Sequence, residues 1–203
     1  MKKIWTLLVA AITVLAVLTS GCSSSDKTAK PADGKKTTTI GFSISTLNNP
    51  FFVSVRKGVE EEAKKLGVNV KIVDAQNDPA KQANDISDLI QQKVDVLLIN
   101  PVDSAAVSTS VAAANKASIP VLALDRSADK GTVASFIASD NVKGGEMAAE
   151  YIIQKLGEKV KVAELEGIPG ASATRERGEG FHKVAPLIRS SRPKTYSCCQ
   201  TIC

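Results

Sequence analysis

From residue 37 to about residue 183, short apolar runs alternate with longer amphipathic stretches, and this alternation restricts the fold more than any other property of the chain. Strand-length runs stand at Thr38–Ser45, Val68–Val73, Val94–Ile99, Val121–Leu124, Val133–Ala138 and Val160–Leu165. Between the first two, Phe52, Val55, Val59, Ala63 and Leu66 recur at helical spacing, and Gly67 follows as a C′ residue. Ala83, Ile86, Leu89 and Ile90 form the next apolar face, after the turn at Asp74–Pro79. An alanine-rich helix is predicted through Ala117. Another carries Met147, Ala148, Tyr151, Ile152 and Leu156, and a last one begins near Ser172. Continuous apolar strands separated by amphipathic helices indicate an α/β fold, a doubly wound parallel sheet covered on both faces. Roughly 100 residues between Thr38 and Ala138 suffice for one five-stranded unit. The sixth run is expected to open a second, incomplete unit.

The ends differ in character. Met1-Lys2-Lys3 is a basic head, and the apolar run Ile4–Leu18 is shorter than the roughly 20 residues of a membrane span, as in an export signal. Leu18-Thr19-Ser20-Gly21-Cys22 resembles a bacterial lipobox, with the bulky aliphatic one position further upstream than the commonest pattern. Cys22 is therefore the expected lipidation site and mature N-terminus. A plain secretory signal and a retained anchor are the alternatives. Ser23–Lys36 lacks any large apolar residue and reads as a solvated tether. The expected partition is a signal at 1–22, a tether at 23–36, a first unit at 37–139, the start of a second at 140–183, and a stretch at 184–203 without helical or strand period. That last stretch holds two prolines, no acid and three of the four cysteines, an abrupt change expected to mark a shifted reading frame or a damaged end.

The net charge of +5 belongs to the ends. Residues 1–36 hold six Lys and two Asp, and 184–203 hold Arg189, Arg192 and Lys194, which leaves 17 basic and 19 acidic residues in between. The core thus lacks the positive excess that nucleic acid requires, and it has few aromatics to stack on bases. Cys198, Cys199 and Cys203 have no histidine near them, the single His being His182, so no metal site and no cofactor is expected.

The residues that follow each strand are polar: Asn48 and Asn49 with Phe51 and Phe52, then Asp74, Gln76 and Asn77, then Asn100 and Asp103, then Asp125 and Arg126, then Asp140 and Asn141. Glu166 follows the sixth run, with Arg175 and Arg177 on the next helix. The opposite turns are bland. Some of these residues are N-caps, with Asp103, Asp140 and one of the asparagines the candidates. Asn49, Asn100, Asp125 and Arg126 nevertheless lie at the carboxyl ends of three strands, where open parallel sheets bind ligands. A carboxylate accepts from two neighbouring hydroxyls, a guanidinium donates in a rigid fork, amides do both, and aromatic rings cover apolar C–H faces. That set suits a neutral, hydroxyl-rich ligand such as a sugar. The plainer alternatives are a capped βα turn at 45–52 and a structural ion pair at Asp125–Arg126. There is no nucleophile–histidine–carboxylate set and no phosphate-binding glycine loop, so an enzyme is not expected.

The motifs STLNNPFF at 45–52, DAQND at 74–78, LLINPVDS at 97–104, LDR at 124–126, ASDNVKGGEMA at 138–148 and ELEGIPGASATRERGEGF at 164–181 closely resemble the ribose-binding proteins of bacterial ABC importers. These share their fold with the ligand-binding cores of LacI-type repressors. The resemblance implies a two-lobed receptor that closes around sugar. It implies that Asn49, Phe51 and Phe52 hydrogen-bond and sandwich the ribose, that Asn100 supplies a hydroxyl-binding amide, and that Asp125 and Arg126 grip the sugar. Arg177 would reach it from the second lobe. The implied partners are ribose or a similar small sugar, the permease subunits of an importer, and the membrane through a lipid anchor. The implied state is an exported monomer that binds no nucleic acid. Family members continue well beyond residue 183, so truncation and impaired binding are also expected.

Overall fold

A computed structural model describes residues 37–158 and 160–184, all within one compact unit that begins at Thr37. The expected signal at 1–22 with Cys22, the tether at 23–36 and residues 185–203 lie outside the described residues. The elements are β1 (Thr39–Ile44), α1 (Pro50–Leu66), β2 (Asn69–Asp74), α2 (Pro79–Gln91), β3 (Val96–Ile99), α3 (Ser108–Lys116), β4 (Val121–Leu124), β5 (Ser135–Ile137), α4 (Asn141–Leu156) and α5 (Ser172–Val184). The strands form one sheet in the order β2-β1-β3-β4-β5, and every pairing is parallel. This is the doubly wound α/β fold expected from the alternation. The order reverses between β1 and β3, which opens a crevice at their carboxyl ends.

Side-chain alternation along each strand supplies two cores. On one face Leu97, Ile99 and Val121 meet Ile86 and Leu89 of α2 and Val111 and Ala114 of α3. On the other, Phe42 and Ile44 meet Phe52, Val55 and Val59 of α1. Sequence signals set the helix ends. Pro50 occupies the first turn of α1, and Gly67 closes it at φ 67, a left-handed value that glycine adopts without a Cβ clash. Asp78 caps α2, accepting from the Ala80 and Lys81 N–H groups at 2.8 and 3.1 Å. Asp140 caps α4 through the Lys143 N–H at 2.9 Å. Asp103 accepts from the Ala105 and Ala106 N–H groups, but α3 begins only at Ser108, so Asp103 organises a turn ahead of the helix.

The chain enters at the amino edge of the sheet. The Thr39 N–H donates to Asp95 Oδ2 at 2.8 Å, the Asp95 N–H donates back to the Thr39 carbonyl at 2.8 Å, and the Asn69 N–H donates to the Thr38 carbonyl at 2.9 Å.

The expected sixth strand at Val160–Leu165 does not form; the stretch is irregular, and Leu165 is 80% exposed. Its apolar residues match strand propensity, but no described strand lies beside it to take up its backbone groups. The elements on either side are nonetheless held together. At the crossing of α4 and α5, a Cβ on Gly145 would fall on the Arg177 carbonyl, and a Cβ on Gly180 on the Val142 carbonyl. Only glycine permits that approach. No helix among the described residues is long and apolar enough to cross a membrane.

Candidate functional site

The carboxyl end of β1 leads directly into α1. Asn49 Oδ1 accepts the Phe51 N–H at 2.9 Å, fixing the start of the helix, while Asn49 Nδ2 has no partner among the described residues. The two aromatics diverge as adjacent helical residues must. Phe52 is 3% exposed and packs into the core with Phe42 and Ile44; Phe51 is 53% exposed. Their rings meet edge to face, centroids 5.2 Å apart.

Asn100 ends β3 at the switch point and is 1% exposed. Its Oδ1 accepts the Ser45 N–H at 3.2 Å, and its Nδ2 donates to the Leu124 carbonyl at 3.0 Å. One side chain thus ties together the ends of β1, β3 and β4, with one N–H and one acceptor position left over. Sequence reasoning missed its neighbour, Gln82. This α2 residue is 2% exposed and makes three hydrogen bonds: Nε2 donates to Ser43 Oγ at 3.2 Å and to the Asn100 carbonyl at 3.0 Å, and Oε1 accepts the Val102 N–H at 2.8 Å. A signal existed, because Gln82 is a polar residue in phase with the buried positions Ile86 and Leu89.

Asp125 and Arg126 follow β4. The Asp125 N–H donates to the Ile137 carbonyl at 2.8 Å, and the Arg126 N–H reaches back to the Leu124 carbonyl at 2.6 Å. This is a three-residue turn centred on Asp125, whose φ of 63 is unusual outside glycine. The Arg126 guanidinium is largely buried. Its Nη1 donates to the carbonyls of Pro101 and Val102 at 3.0 and 3.4 Å, and its central carbon lies 5.2 Å from the centre of the Phe52 ring. Asp125 Oδ2 stands 3.7 Å from Arg126 Nε, too long for a hydrogen bond, so the carboxylate is not consumed by its neighbour. Burial pushes the Arg126 guanidinium below the ordinary arginine range; Asp125 opposes this, and the like charge of Arg177 adds to it. Arg177, on α5, is exposed and has no ion pair among the described residues.

The loop ahead of α5 is fastened to this edge. The Ser104 N–H donates to the Gly170 carbonyl at 2.9 Å, the Ser172 N–H to Ser104 Oγ at 3.3 Å, and the Ser127 N–H to Ser172 Oγ at 2.8 Å. Arg175 pairs with Asp129 at 2.9 Å. These bonds set α5, with Arg177, over the ends of β3 and β4. His182, the single histidine, lies instead beside Glu164 at 2.7 Å.

The structure therefore sets Arg126 against Phe52 with Asp125 beside it, and Arg177 close enough to act on Arg126 electrostatically. Asn49 and Phe51 adjoin them through Phe52, while Asn100 lies beneath as a cross-brace. An exposed ring, a carboxylate with free acceptor positions, a guanidinium without an ion pair among the described residues and a free amide donor are groups that can hydrogen-bond hydroxyls and cover an apolar face.

Residues 40–200 match the family described as periplasmic binding protein domain, a span that runs past the change of composition at 184. The ribose import binding protein of Bacillus subtilis is 60% identical over 177 residues, covering 86% of this chain and 58% of that protein. The ribose import binding protein of Escherichia coli is 49% identical over 183 residues, covering 90% of this chain and 57% of that protein. Among solved structures, the Caulobacter myo-inositol binding protein bound to myo-inositol superposes with a TM-score of 0.71 at 30% identity, covering 75% of this chain and 53% of its own. The chain thus spans somewhat more than half the length of the proteins it matches.

Proposed function

This chain belongs to the periplasmic binding protein family, and from that membership we propose that it is the sugar-binding component of a bacterial ABC importer with ribose as its ligand. The family and these relatives are binding proteins rather than enzymes, in keeping with the absence of a catalytic set from the sequence. What supports the ligand class is the polar chemistry at the carboxyl ends of β1 and β4, where Phe51 is exposed beside Phe52, Arg126 packs on Phe52, the Asp125 carboxylate is unspent, and Arg177 has no ion pair among the described residues. In this reading Asp125 accepts from neighbouring sugar hydroxyls, and the free Nη2 of Arg126 and the Arg177 fork donate to oxygens. Asn49 Nδ2 donates to a hydroxyl, and the Phe51 ring covers a C–H face. Asn100 contributes its remaining N–H from below.

Titration calorimetry of the full chain with ribose, and with its deoxy analogues as competitors, tests the reading. The expected result is saturable ribose binding of about micromolar affinity or weaker, because Arg177 alone among these residues approaches from α5, with deoxy sugars weaker still. No saturable binding of ribose would overturn it. Tighter binding of myo-inositol or another small sugar than of ribose would leave the crevice and replace the ligand.

In the same reading the protein is exported, Cys22 is lipidated, and 23–36 tethers the sheet domain near the permease. Mass spectrometry of membrane-fraction protein would find a diacylglyceryl group on Cys22, absent from Cys22→Ala. An unmodified, cleaved N-terminus would instead assign a plain secretory signal.

A further inference from the structure

We infer that Gln82 is the positioning residue of the crevice: a buried side-chain amide that sets Asn100 and Arg126 without touching the ligand. The inference rests on the sugar-binding reading above and deepens it. Gln82 brackets Pro101. Its Nε2 holds the Asn100 carbonyl on one side and its Oε1 holds the Val102 N–H on the other, at 3.0 and 2.8 Å. The carbonyls of Pro101 and Val102 in turn accept the Arg126 guanidinium, at 3.0 and 3.4 Å. The third bond, to Ser43 Oγ at 3.2 Å, ties the same amide to β1. Gln82 therefore clamps the loop after β3 to β1, and Arg126 takes its position from that clamped loop.

The chemistry of the position requires an amide. The loop presents an acceptor and a donor two residues apart, and a side-chain amide answers both from one planar group while keeping a second N–H for Ser43 Oγ. A carboxylate would face the Asn100 carbonyl with lone pairs, and a hydrocarbon would leave a buried N–H and a buried carbonyl unpaired. At 2% exposure, water cannot substitute for the lost partner without entering the core. Arg126 has few spare contacts: Nη1 uses two loop carbonyls, and its face lies on Phe52. A loop freed at Pro101 lets the guanidinium turn away from the site of hydroxyl recognition.

The experiment uses the full chain and Gln82→Met, which keeps the length and loses the hydrogen bonds. In the ligand-free proteins, NMR of the Arg126 Nε–H and hydrogen exchange of the Val102 amide report on the clamp. The expected result is a shifted, broadened Arg126 signal and faster Val102 exchange, with α1 amides unchanged. In calorimetry, ribose affinity falls by roughly ten- to hundredfold at unchanged stoichiometry, the range that follows from disturbing one or two hydrogen bonds to a charged group. A loss of stability alone would lower the stoichiometry and leave the affinity of the folded fraction intact, and that pattern overturns the inference. An unchanged Arg126 signal overturns it as well, and this readout stands even if ribose does not bind the wild-type chain, in which case the sugar reading fails separately. Should Gln82→Met not fold, a ribose titration of the wild-type protein decides the matter. Coincident movement of the Gln82 side-chain amide, Val102 and Arg126 signals supports the clamp, and movement of Arg126 without Gln82 and Val102 refutes it.

Discussion

Asp125, proposed above to accept from sugar hydroxyls, stands in an uncommon backbone conformation. Its φ of 63 is tolerated by Asp and Asn better than by most side chains, because a short polar group can bond locally in the left-handed region. Asp125→Asn is therefore expected to leave stability within about 0.5 kcal/mol of wild type in urea unfolding. It should weaken ribose binding by roughly ten- to hundredfold, since the amide loses one acceptor and the charge. Arg126→Lys should cost both. A lysine cannot span the Pro101 and Val102 carbonyls while lying flat on Phe52, and unfolding should report a loss of about 1–3 kcal/mol. That Asn49, Asn100, Asp125 and Arg126 follow the carboxyl ends of β1, β3 and β4 was legible in the sequence, because turn chemistry marks those ends. How each residue is employed was not. Asn100 meets Ser45 and Leu124, and Gln82 meets Asn100 and Val102, through bonds between segments far apart in sequence. Only the folded sheet brings such groups together.

At the scale of elements, helices were more legible than strand-like runs. The helical spacing from Phe52 to Leu66 falls within α1, observed over Pro50–Leu66, and Gly67 closes it, because both signals reside in the segment itself. A strand needs a partner, and Val160–Leu165 lacks one among the described residues. The α4–α5 pair was not legible either, since nothing in a sequence tells which glycines of two helices will face one another. Their crossing yields a sharp expectation. Gly180→Ala would drive a methyl into the Val142 carbonyl, and the helices must separate or bend, at a cost of about 1–3 kcal/mol. Hydrogen exchange should show α5 losing protection while β1, β3 and α2 keep theirs. Equal loss everywhere would mean that the pair and the sheet unfold as one unit. Because Arg177 rides on α5, the same variant should weaken ribose binding.

At the scale of the whole molecule, the two faces of the sheet are unequally covered. Against α2 and α3 the core is deep, whereas on the α1 face Leu98 and Leu124 stay partly buried, and Phe136 and Ile137 of β5 are exposed. Met147, Tyr151, Leu156 and Leu165 add further exposed apolar surface after Asp140. Surface of this kind binds apolar dyes and lowers cooperativity. The full chain should enhance anilinonaphthalene sulfonate fluorescence and unfold over a broad temperature range, whereas a sharp, dye-silent transition would show that these residues are covered in solution. The position of the chain's entry has a practical bearing. Thr38 and Thr39 are clasped at the amino edge by Asn69 and Asp95, whereas the proposed crevice lies at the far end of β1, about 20 Å away for a six-residue strand. A leash fixed ahead of Thr37 therefore pulls on the side of the domain remote from the crevice mouth. A biosensor immobilised through its N-terminal side would keep that mouth open to small molecules diffusing in from solution.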